Sequence, residues 1–194
     1  MMDSPPSADF LDWWFTPWSY APGHGTPYCT GSLGQRDAYR HWCQQAGVRP
    51  ALPATGDLRW QMTVRDADQF AGAAELFGGL FAARARQHDE LASLSPARRR
   101  WCLSVALTQP LLGWTGDLPQ PMASARARGL LELALRVEQA LPGVWSRLRL
   151  LLPPDEADQL AQRLALGAPE AARLRERERN CWQLCLAQAQ GALA

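Results

Sequence analysis

Cysteine and histidine are the side chains in this chain whose spacing could support chemistry. Cys181 and Cys185 stand four apart, so a helix would set both thiols on one face. A structural zinc needs four ligands, commonly from two such pairs, and the chain holds no second one. His41-Trp42-Cys43 and the stretch from His24 to Cys29 complete no such set. Cys43 or Cys102 could act as a nucleophile if a histidine base and an orienting carboxylate or amide lay beside it. With three histidines in all, nothing in the spacing signals that arrangement. No Gly-x-Ser-x-Gly turn occurs, nor a paired-carboxylate signature, and the glycines of Gly23 to Gly34 are not followed by the Gly-Lys-Ser/Thr of a phosphate loop. These residues predict a protein that is not an enzyme, with no catalytic set, no cofactor and no metal. Its thiols are expected to be reduced and mostly buried, which places it in a reducing compartment.

Charge narrows the partners. The formal charge of +1 and a pI near 7.7 argue against a chain whose main work is gripping nucleic acid. Lysine is absent, which excludes Schiff-base chemistry, and isoleucine is absent too, a bias that fits a GC-rich coding sequence. Arg98-Arg99-Arg100 follows Ser95-Pro96, a helix start, where positive charge opposes the helix dipole. That conflict marks the three arginines as a candidate dock for an acidic partner surface. The run Arg175 to Arg179 alternates in sign and reads as self-paired, water-facing surface. Trp13, Trp14, Phe15 and Trp18 lie among Asp9 and Asp12 with no flanking Arg, which favours core packing over a membrane anchor. The N-terminus, with Asp3 and Asp9 and no unbroken apolar run, does not read as a signal peptide. No window is apolar for the eighteen or so residues a spanning helix requires.

These residues need helices to position them. The 194-residue length suits one all-α domain over 1–194, an irregular bundle of about six to eight helices. A short aromatic helix is expected over 7–16, capped by Ser7 and closed by Pro17. Residues 17–34, with four glycines and three prolines, read as an irregular loop, then a helix from Gln35 to Ala46. Residues 47–62 form a second loop with a short extended piece at Leu58 to Met62. Asp66 to Glu90 is helical, with Phe70, Ala74, Phe77 and Phe81 inward. Gly78-Gly79 inside it costs about 2 kcal/mol against alanines, so a kink or a close helix contact is expected there. The helix from Ser95-Pro96 runs through Leu107 with Trp101, Val105 and Leu112 inward, and Pro110 to Pro121 is a loop. Residues 129–153 form a central helical hairpin. Leu130, Leu133, Ala134, Val137 and Leu141 line one face, Pro142-Gly143 breaks it, and Trp145, Leu148, Leu151 and Leu152 resume the period before Pro153. Two further helices follow, from Pro154 to Gly167 and from Pro169 to Gln190, the latter with Leu174, Cys181 and Cys185 on one side.

The hairpin resembles the matching region of the K component of type III secretion sorting platforms, the SctK family with its YscK and OrgA/MxiK types. In that family a helix is followed by Pro, a Trp and alternating basic and leucine residues ending in Leu-Pro. Here those are Leu130 to Leu141, Pro142, Trp145, Arg147-Leu148-Arg149-Leu150 and Leu152-Pro153. Phe15, Pro17 and Tyr20 are similar to the family's F-x-P-x-x-Y element, and Leu107 to Pro119, with Leu-Leu-Gly-Trp, resembles a stretch upstream of the same hairpin. After Tyr20 the chain departs from the family, with APGHGTPYCTGSLG where members continue with His-Pro and a helix. The resemblance implies a non-enzymatic cytoplasmic adaptor, peripheral to the inner membrane. It would link the cytoplasmic domain of the inner-membrane ring protein to the pod-forming platform protein that carries the stator and ATPase.

Three other readings fit a small helical protein. A secretion chaperone or regulatory binding module would form a stable dimer and bind an exported substrate. A cysteine-dependent enzyme would depend on Cys43 or Cys102. An interfacial protein would bind lipid through its aromatic N-terminus.

Overall fold

The computed structural model describes residues 5–21, 23, 25–27, 31–54, 56–119, 122–165, 167–169 and 172–191. Cys29 and His24 lie outside them. Among the described residues the fold is all-α: nine α-helices, joined by turns, single 3-10 turns and irregular segments, and no strand. No helix among them is long and apolar enough to cross a membrane. The helices are α1 (Ala8–Phe15), α2 (Gly31–Gln45), α3 (Ala67–Ala85), α4 (His88–Ala92), α5 (Pro96–Thr108), α6 (Ala125–Ala140), α7 (Val144–Leu148), α8 (Pro154–Leu164) and α9 (Glu176–Gly191). Contacts divide the chain into two units, Met1–Asp66 with Val137–Pro153, and Ala67–Arg136 with Pro154–Ala194.

The first unit is built on indole rings. Six of the nine tryptophans are buried, and five of those six (Trp13, Trp14, Trp42, Trp60 and Trp145) lie here. A buried indole must place its N–H, and three of them end on backbone carbonyls: Trp13 on Val64 at 2.9 Å, Trp14 on Ala51 at 2.8 Å and Trp42 on Gly25 at 2.9 Å. Ser7 caps α1 as its sequence position predicts, its hydroxyl accepting from the Phe10 N–H. Gly143, at φ +91°, makes the left-handed turn after Pro142, and the Trp14 ring comes to 3.2 Å from where its Cβ would stand.

Leucine, phenylalanine and small residues fill the second unit. α3 packs against both α5 and α9. Phe70, Ala74, Phe77 and Phe81 are all buried on α3, and the Trp182 ring of α9 meets Phe70 and Phe77 edge-on at 6.1 and 5.6 Å. The glycine pair inside α3 does not break the helix; it permits contact. A Cβ on Gly78 would lie 1.7 Å from the Ala125 carbonyl oxygen, and one on Gly129 would lie 1.8 Å from that of Ala74. The two helices therefore touch backbone to backbone, which only glycine allows.

All the apolar positions named in the hairpin are buried: Leu130, Leu133, Ala134, Val137 and Leu141, then Trp145, Leu148, Leu151 and Leu152. Its second limb is short, the five-residue α7 followed by a 3-10 turn at Arg149–Leu151. Other boundaries differ for local reasons. No proline follows Pro27 in its loop, and α2 begins at Gly31, so 31–34 is helical rather than irregular. Leu58–Trp60 is a 3-10 turn and not extended, because the Asp57 carboxylate accepts from the Arg59 backbone N–H and bends the chain. α3 stops at Ala85, and α4 takes the rest of the expected helix. α9 begins at Glu176, where the Glu178 carboxylate reaches back to the Arg175 N–H in half of a capping box. On α5, Cys102 and Ala106 face inward. Trp101 and Val105 are half-buried, and Leu112 is 66% exposed. The small residues win because a Cβ on Gly79 would stand 2.6 Å from Cys102 Sγ, a spacing too close for an indole.

Replacing Gly129 with Ala should destabilise the protein. Overpacking costs about 1–3 kcal/mol, and here the obstacle is backbone, so the upper end applies. Helix propensity returns about 1 kcal/mol, leaving a net loss of about 2 kcal/mol. Gly191→Ala, whose Cβ would meet nothing within 4 Å, should be neutral. Urea unfolding of the two variants checks this.

Candidate functional site

Arg147 is the centre of the first unit. It is 1% exposed, and no carboxylate among the described residues reaches it. Its donors end on uncharged acceptors: Nε on the Trp14 carbonyl at 3.3 Å, Nη1 on that of Gly143 at 3.3 Å, and Nη2 on the Tyr39 hydroxyl at 2.8 Å and the Arg49 carbonyl at 3.4 Å. The guanidinium lies 3.4 Å from the centre of the Trp14 ring. Burial lowers the Arg147 pKa and raises that of Tyr39 to about 12, with the charge of each opposing the shift of the other. Burial also raises the Tyr20 pKa. Such a centre fixes chain segments in place. A point-charge ammonium could not reach four acceptors in four directions as the guanidinium does.

The residues that carry the family resemblance, Phe15, Pro17, Tyr20, Pro142, Trp145 and Pro153, all fall in this unit. Pro17, Tyr20 and Trp145 are buried, Phe15 is half-buried with its ring 5.4 Å from Tyr39, and Pro142 and Pro153 are exposed. Trp13 and Tyr20 stack at 5.1 Å. Arg147, two residues past Trp145, holds the carbonyl of Trp14, so the two stretches meet at one side chain.

A second buried network runs along α6 in the other unit. Arg128, Glu132 and Arg136 stand at i, i+4 and i+8 and are at most 3% exposed. Arg128 pairs with Glu90, its Nη2 at 2.6 Å from Oε1, and donates to the Thr115 hydroxyl at 3.1 Å. Glu132 accepts from the backbone N–H groups of Trp114 and Thr115 at 2.8 and 2.9 Å. Arg136 donates to Glu132 at 2.5 Å, to Glu178 at 3.0 Å and to the Leu112 carbonyl at 2.8 Å, between the rings of Phe81 and Trp114. This corrects the reading of Arg175 to Arg179 as water-facing throughout: Glu178 is 2% exposed and closes the network. Sequence reasoning passed over the ladder. Its signal was the i, i+4, i+8 alternation of sign inside a helix otherwise apolar on most sides.

The three arginines proposed as a dock part ways. Arg98 pairs with Glu75 and Arg99 donates to the Leu91 carbonyl at 3.0 Å, which offsets the unfavourable charge at the start of α5. Arg100 alone is exposed and makes no hydrogen bond or ion pair among the described residues.

Cys43, Cys102, Cys181 and Cys185 are free thiols and fully buried. Cys102 Sγ donates to the Leu76 carbonyl at 3.4 Å. Burial pushes the thiols up, Cys102 to about 12 and Cys181 to about 11. Among the described residues no group of three or more His, Cys, Asp or Glu side chains is placed to hold a metal ion.

Arg136→Met leaves buried Glu132 and Glu178 short of a partner and should cost about 3–5 kcal/mol. Adding Glu178→Leu should recover part of that loss, read as a coupling energy in a double-mutant cycle. In a Cys29→Ser background, a disulfide reagent at pH 8 should find no reactive thiol until denaturant is added. Because these thiols hold their proton in the folded state beyond the ordinary value of 9, stability should fall as pH rises past 9, where the unfolded chain ionises first.

No protein-family model, no curated protein and no solved structure matches this chain.

Proposed function

We propose that this chain is a non-enzymatic adaptor of a type III secretion sorting platform, the K component. It binds the cytoplasmic domain of the inner-membrane ring protein on one side and the pod-forming platform protein on the other, and so helps hold the stator and ATPase beneath the export gate. It works in the cytoplasm at the inner face of the membrane. The observation that carries the reading is the meeting of the two resembling stretches: Arg147 of the Trp145 segment binds the Trp14 carbonyl beside the Phe15-Pro17-Tyr20 segment. Residues far apart in sequence are thereby parts of one structural element, and that supports treating them as one inherited feature. The absence of a membrane-crossing helix among the described residues agrees with a peripheral position. Arg147, with all three guanidinium nitrogens engaged inside the fold, suits a scaffold whose binding energy comes from surface anchors.

A tagged full-length copy recovered from its own host should bring down the ring protein and the pod protein together, well above an untagged control. Recovery of one exported substrate instead, with the chain running as a stable dimer, would replace this reading with that of a secretion chaperone.

A further inference from the structure

The outer face of α5 carries uncovered leucines. Its inner face holds Cys102 and Ala106, yet Leu103 and Leu107 are 43% and 85% exposed. Arg100, Leu103 and Leu107 stand at i, i+3 and i+7, which places them in one row along the helix. Exposed leucines scattered singly need no explanation, but two on one face of one helix make a continuous apolar strip. The charge on α5 itself has one sign, and the neighbouring carboxylate of Glu75 is taken up by Arg98. α5 contains no Asp or Glu, and α9, which packs on α3 as α5 does, is uncharged from residue 180 to its end. At the far end of the strip, Arg177 donates to the Pro110 carbonyl at 3.4 Å, so an arginine stands at each end. Arg98 and Arg99 are engaged within the fold, which leaves Arg100 as the charge on offer.

We propose that this face docks an amphipathic helix of another protein, whose apolar row lies on Leu103 and Leu107 and whose carboxylates meet Arg100. Lipid is a poorer fit, because two leucines and one arginine give neither the apolar area nor the charge cluster that a membrane surface needs. A second copy of α5 is a poorer fit as well, since it would set arginine against arginine.

The test places a photo-reactive benzoylphenylalanine at exposed Ser104, beside the row, in the full chain in its own host. The crosslinked segment is then identified by mass spectrometry. The expected result is one segment of another protein with apolar residues at three- and four-residue spacing and Asp or Glu at one end. Arg100→Glu should reduce the crosslink at least fivefold, and Leu103→Ser with Leu107→Ser at least tenfold. An acid in that early turn of α5 suits the helix dipole, so Arg100→Glu should leave the melting temperature unchanged. Arg100→Gln gives a second reading free of charge reversal. A crosslink to a second copy of the chain, to a segment without carboxylates, to lipid or to nothing would overturn the proposal, as would one indifferent to Arg100→Glu. The docking face stands apart from the secretion reading. An acidic helix from a protein outside the platform would support it without touching that reading, and recovery of ring and pod proteins without a Ser104 crosslink would overturn it while leaving that reading in place.

Discussion

A cation removed from water must find acceptors, and Arg147 finds them with no counter-charge among the described residues. Its acceptors are carbonyls from α1, from the loop after α2 and from the turn before α7, with the Tyr39 hydroxyl of α2 completing the set. Each acceptor lies on a different stretch of chain. None can move without leaving part of a buried guanidinium unsatisfied, a loss that exceeds the modest gain from any single bond. The indoles of Trp13, Trp14 and Trp42 follow the same logic, each handing its N–H to a backbone carbonyl.

The ladder on α6 solves the same problem by other means. Three carboxylates and two guanidiniums form one buried network, and all of them but Glu90 also hold backbone or hydroxyl groups. Glu132 collects the N–H groups of the loop between α5 and α6, and Arg136 holds a carbonyl of that loop between two rings. The irregular segment is thereby tied to α6 at Leu112, Trp114 and Thr115. The energetic reward of such pairs is small once desolvation is counted, but the geometry they require is narrow.

How much of this was readable beforehand depends on where the information sits. The apolar rows of α3 and of 129–153 were plain, since periodicity records burial directly. The Ser7 and Ser95 caps were plain too, because both act within four residues. The close contact at Gly78 was half legible: paired glycines announce a special position, but not Gly129 as its partner. Burial of Arg128, Glu132, Arg136, Arg147 and Glu178 was not legible, because a charged residue on a helix is usually wet and only tertiary cover says otherwise. The same holds for α5, where Trp101 had the stronger claim to the core by size and lost it to Cys102 for want of space.

Because dipoles rather than ions hold Arg147, dissolved salt has little to act on there. Counter-ions weaken attraction between opposite charges in contact with solvent, as for Arg65 with Asp12 or Arg59 with Asp57 at the surface of the same unit. A guanidinium resting on carbonyl oxygens and an indole face, sealed from the ion atmosphere, offers no such charge pair to screen. The part of the molecule where its most distant stretches of sequence meet is thereby made indifferent to ionic strength.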